Sequence, residues 1–190
     1  MPLRTVLIVA CVLALAQDAL RDALNLGHTH DDALFDSFNR GYALTVSGTI
    51  DSAEIITEFR RAALLVRQRE AIGDYIQDTR TVANALAPYA GLVTFIVQAR
   101  LNPLNTYQQP PKYELYITTG PLTEPLAGKP FQREPIYPMN APASAGMIAV
   151  RLTASFPRVD IESAARPSLV VTDDRAELLW QARIDLSRYR

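Results

Sequence analysis

From Leu92 onward the chain places apolar residues at every second position in several short runs. Val93, Phe95, Val97, Ala99 and Leu101 share one parity, with Thr94, Gln98 and Arg100 on the other. Ile148, Val150, Leu152, Ala154 and Phe156 alternate in the same way with Ala149, Arg151, Thr153 and Ser155. A period of two separates the faces of a strand, so these runs predict strands over 92–101 and 147–156 in an antiparallel sheet with one solvated face. Residues 113–119 predict a further strand. Residues 168–172, a turn at Asp173-Asp174-Arg175 and residues 177–186 predict a C-terminal hairpin with Leu178, Trp180, Ala182 and Ile184 inward, its last strand running almost to Arg190. Strands at this density, joined by turn-rich connections, predict an antiparallel β-sandwich of Ig-like or C2-like type over 91–190.

The period differs before Gly91. Residues 18–26 predict a helix followed by a loop, and Tyr42 to Ile50 alternates as a short strand. Over 51–71, Ile55, Phe59, Ala62, Ala63 and Val66 fall at helical spacing behind Asp51 or Ser52 as cap. Ile55 and Ile56 are β-branched, which leaves an alternative with an extended first turn and Thr57 as the cap. Gly73-Asp74 stops that helix, and a second over 78–87 ends at Pro88. Residues 17–90 are thus expected to form a mostly helical segment packed on the sandwich, an α+β chain. Nine of the 13 prolines lie between Asn102 and Pro142. They deprive 108–112 and 121–142 of amide donors that a central strand needs, so both are expected to be loops.

The first residues read as an address. Arg4 precedes a small and apolar run from Thr5 to Ala16, and Ala14 and Ala16 stand at the −3 and −1 positions of a cut before Gln17. This pattern predicts a cleaved signal peptide over 1–16 and a periplasmic or secreted chain. As a helix the run spans about 18 Å, short of the roughly 30 Å hydrocarbon core, so no transmembrane span is expected in the mature chain. Ile8-Val9-Ala10-Cys11 fits a lipobox, but the apolar run continues past Cys11 through Val12-Leu13, where a lipoprotein turns polar. Cleavage after Ala16 removes Cys11, the single cysteine, and with it any disulfide or thiol chemistry.

Charge narrows the partners. The net charge is −1, and 17 of the 19 basic residues are arginine. No basic excess asks for nucleic acid, and the expected partner is an unidentified protein or envelope component. The 8 glycines build no phosphate loop, and no nucleophile elbow, zinc-hydrolase helix or Ser-x-x-Lys occurs. No cofactor is called for.

Three groups of residues could carry chemistry. His28 and His30 flank Thr29 and precede Asp31 and Asp32, and imidazole beside carboxylate is a donor set that divalent metals use; a solvated loop is the competing reading. Glu58-Phe59-Arg60-Arg61 is the densest charged spot, suited to binding carboxylate or phosphate or simply to a solvated helix face. Glu58 and Asp74 are the carboxylates available to a hydrolytic pair. Tyr107, Tyr113, Tyr116 and Tyr137, interleaved with prolines, offer a possible aromatic binding surface, although Tyr113 can equally be core. Together these features describe an exported bacterial protein acting as a non-catalytic binding or structural module. An envelope hydrolase with its site between helices and sheet, and a metal-binding protein using His28 and His30, are the alternatives.

Overall fold

The computed structural model describes residues 17–75, 78–102, 104, 109–120, 124–140 and 146–190. The expected signal peptide, Cys11 and Tyr107 lie outside these residues. The chain is α+β, with two four-stranded antiparallel sheets, and divides into two compact units.

The sheet-bearing unit comprises Tyr42–Ile56 and Gly91–Tyr189. Its first sheet has the order β1-β2-β6-β5, formed by β1 (Ile50–Ile56), β2 (Leu92–Arg100), β6 (Ala149–Pro157) and β5 (Phe131–Ile136). The second has the order β4-β3-β7-β8, formed by β4 (Leu126–Ala127), β3 (Glu114–Thr118), β7 (Ser168–Thr172) and β8 (Leu178–Arg183). One apolar cluster draws on both sheets, with Phe95, Leu152 and Phe156 from the first and Ile117, Leu169 and Trp180 from the second. Phe95 and Phe156 meet edge to face, their centroids 5.8 Å apart at 70°. That contact adds about 0.5–1.5 kcal/mol to the burial of the two rings.

The alternating runs keep their period within the strands, except at the start of the second: β6 begins at Ala149, which is buried, and Ile148, expected on the apolar face, lies before the strand and is exposed. Val93, Phe95, Val97 and Ala99 are fully buried, as are Val150, Leu152, Ala154 and Phe156. The opposite face is less wet than expected. Thr94 stands across from Ser155 in the register, and their buried hydroxyls satisfy each other at 2.7 Å, which removes the cost of two unpaired polar groups. The indole N–H of the inward Trp180 donates to the Thr45 carbonyl oxygen at 3.3 Å, whereas Leu178, expected inward, is exposed. The last strand stops at Arg183 and a 3₁₀ turn at Leu186–Arg188 follows, so it does not run to Arg190.

The other differences have local causes. The stretch 121–142 is not all loop: β4 and β5 form there, both as edge strands, a position that tolerates the N–H that Pro135 lacks. The short Arg158–Ser163 helix, α5, lies between β6 and β7, so helices are not confined to the N-terminal part. The expected strand over 42–50 is shifted: β1 begins at Ile50 and takes Ile55 and Ile56 into the sheet opposite Phe95 and Thr94. The expected helix over 51–71 accordingly starts later, and Thr57 is its cap.

The second unit comprises the described residues up to Gly41, Thr57–Ala90 and Arg190. It holds α1 (helical over 17–27), α2 (Asp32–Arg40), α3 (Glu58–Ala71) and α4 (Thr79–Leu86), with a 3₁₀ turn at Ala87–Tyr89 that carries Pro88. Asp31, Thr57 and Asp78 each accept a backbone N–H as the N-caps of α2, α3 and α4. The loop expected after α1 is largely the helix α2, which buries Phe35. Among the described residues the buried apolar cluster here is Ala23, Leu24, Ala62, Val66 and Val82. Gly27 lets α1 approach α3, because a Cβ at that position would stand 2.7 Å from both the Ala63 carbonyl oxygen and Val66 Cβ.

Candidate functional site

The histidine segment links α1 to α2, and its polar groups are occupied by packing. The His28 Nδ1 pairs with Glu70 on α3. Arg67, one turn earlier, donates to the Thr29 carbonyl and to the Asp32 carboxylate, and its guanidinium lies 5.2 Å from the Phe35 ring. Asp31 accepts from the Leu34 N–H at 3.0 Å as the cap of α2, and His30 is exposed. Among the described residues no group of three or more His, Cys, Asp or Glu could hold a metal ion. The segment ties three helices together.

The arginines of α3 part ways. Arg60 is buried and donates through Nε to Asn39 at 3.2 Å. Arg61 lies 3.9 Å from the Tyr89 ring, and burial pushes its guanidinium below its ordinary pKa. Asp74 pairs with Arg69 at 3.5 Å, and Glu58 is exposed in the first turn. Asp74 and Glu58 sit at opposite ends of α3.

The described tyrosines do not assemble into one platform. Tyr113 packs against the apolar cluster beside Leu115 and Ile117, while Tyr116, of opposite parity, takes the other face of β3 opposite Val170. Tyr137 is exposed beyond the end of β5.

A different feature has the form of a site. A half-open groove of about 760 Å³ lies between α5 with its link to β7 and the end of β8 with the 3₁₀ turn. Its volume is within the roughly 300–1,000 Å³ of small-molecule sites. The buried Ile161, Ile184 and Leu186 line it, and Arg183, Asp185, Ser187 and Arg188 stand around them. A bond from the Ile184 N–H to the Pro167 carbonyl, 2.9 Å, holds the two walls together. Asp185 accepts from the Ser187 hydroxyl at 2.6 Å and from its N–H at 3.2 Å. These bonds, helped by Arg188 and Arg183, hold its carboxyl below the usual carboxylate range. Glu162 on the opposite wall is neutralised by Arg158 at 2.7 Å. Arg183 and Arg188 are exposed and make no ion pair among the described residues. The sequence hints at the site only through Asp185-Leu186-Ser187, an Asx-turn pattern that ends a strand.

No family model matches the chain, and neither a curated protein nor a solved structure does.

Proposed function

We propose that the chain is an exported, non-catalytic binding or structural module of the bacterial cell envelope, its two sheets forming a sandwich of Ig-like or C2-like kind. The observation that supports this reading is the use made of the polar side chains. Among the described residues the buried polar ones are Thr57, Arg60, Thr94, Ser155 and Thr172, and no Asp or Glu is buried. An acid or base poised for catalysis needs desolvation or a strong neighbour to shift its pKa toward neutrality. The carboxylates that do shift, Asp78 and Asp185, move the other way, toward a fixed negative charge. The groove then serves to hold a ligand. Export rests on the short apolar run before Gln17 and the small residues preceding it.

The test is the intact mass, under native conditions, of the protein recovered from the envelope fraction of its host. The expected species begins at Gln17 and retains a non-covalent partner or small molecule. A chain that still carries residues 1–16 and stays in the cytosolic fraction would contradict export, and turnover of the retained molecule would contradict the non-catalytic role.

A further inference from the structure

We infer that the groove between α5 and the end of β8 binds a small amphipathic monoanion: an apolar body capped by a single carboxylate. The inference rests on the binding-module reading and names the ligand class of that same site.

Charge sets the sign of the head group. Of the groove's four ionisable lining residues, Glu162 is already paired with Arg158, and Asp185 spends an oxygen on both donors of Ser187. Arg183 and Arg188 stand on either side of Asp185 in the chain and make no ion pair among the described residues. The groove with its Arg158 therefore carries three cations against two anions, an excess of one positive charge. An arginine fork suits a planar carboxylate with two acceptor oxygens. A dianion would overcompensate the excess, and a cation would meet two guanidinium groups.

The lining sets the rest of the molecule. Ile161, Ile184 and Leu186 are buried yet line the groove, so their exposed sliver of surface is apolar and is covered by an apolar body. Burying hydrocarbon there contributes about 25 cal/mol per Å² removed from water. An anion whose apolar part is a single methyl group, such as acetate, gains little from this surface. The volume of about 760 Å³ accommodates a medium-length alkyl chain rather than a folded partner.

The experiment titrates the full chain with decanoate, acetate and decyltrimethylammonium by calorimetry, with amide chemical shifts to locate the site. Decanoate is expected to saturate and to move the amides of 161–167 and 183–188, while the other two leave them in place. The double variant R183Q/R188Q changes only exposed side chains and keeps its thermal transition; its decanoate affinity should fall about tenfold or more, as loss of charge-assisted hydrogen bonds implies. Equal binding of the cationic probe, unchanged affinity in the double variant, or no decanoate binding would overturn the inference. Binding of the neutral isostere decanamide alone would overturn the anion class while leaving a binding module. Arginine-dependent binding accompanied by chemical conversion of decanoate would uphold the ligand class and overturn the non-catalytic reading.

Discussion

The two compact units reach a folded state by different means. In the sheet-bearing unit 21 buried residues form one apolar cluster that includes Phe95, Phe156 and Trp180. Among the described residues of the helical unit the corresponding cluster has five members, and none is larger than leucine. What the helical unit lacks in apolar volume it supplies in directed contacts. His28 pairs with Glu70, Arg67 reaches Thr29 and Asp32, Arg60 reaches Asn39, and the Phe35, Phe38 and Phe59 rings meet in tilted and edge-on contacts with centroids 5.9 and 6.0 Å apart. Burial of hydrocarbon is non-directional and adds up with area, whereas each polar contact nets only about 0.5–1.5 kcal/mol. A lost methyl group should therefore weigh most in the sheets, and a lost cap or strap should weigh most in the helices.

The comparison breaks most visibly at Phe156. F156A removes a fully buried ring from β6 and its contact with Phe95, and should cost about 3–5 kcal/mol in urea denaturation. A cost under 1 kcal/mol would mean that the cluster is loosely packed.

Next in size is G27A. The new methyl meets the Ala63 carbonyl, which belongs to the backbone and cannot swing away. Overpacking of this kind costs about 1–3 kcal/mol, more than the roughly 1 kcal/mol that alanine gains over glycine within a helix. Net stabilisation would show that α1 and α3 separate without penalty.

The cap variant D31A removes the acceptor for the Leu34 N–H and should cost about 1 kcal/mol, with loss of helical circular dichroism from α2.

The smallest effect is one of pH. Asp78 has a lowered pKa because the Thr81 backbone N–H and side chain donate to it. A depressed folded pKa means that the contribution is present above the unfolded value near 3.9 and is lost as the pH falls through the folded one. Between pH 7 and 5 the D78N variant should track the parent, with a constant offset that narrows only below about pH 4. An offset that changes between pH 7 and 5 would assign the effect to another group.

The sequence shows the sheet unit better than the helical one, for the same physical reason. Alternation marks the apolar face of β2 and β6 from Val93 to Ala99 and from Val150 to Phe156, while the burial of Thr94, Ala149 and Ser155 on the other face is not legible. Helix α2 is hidden because only Phe35 is buried along it, and its best signal is the Asp31 cap. Ile55 and Ile56 fit a helical spacing and a strand equally well. Pairing with β2, a contact to residues some 40 positions away, decides for the strand. The groove is hidden for a similar reason, since Ile161 and Ile184 belong to different elements and only the fold joins them. Of the two conspicuous histidines, His28 pairs with Glu70 and His30 is exposed.

Native-state hydrogen exchange, resolved by residue, tests the contrast between the units most directly. The expected result is that amides of β2 and β6 exchange only through global unfolding, while those of α1, α3 and α4 exchange earlier, through opening of the helical unit. Equal protection of α3 and β2, with the same denaturant dependence, would contradict it.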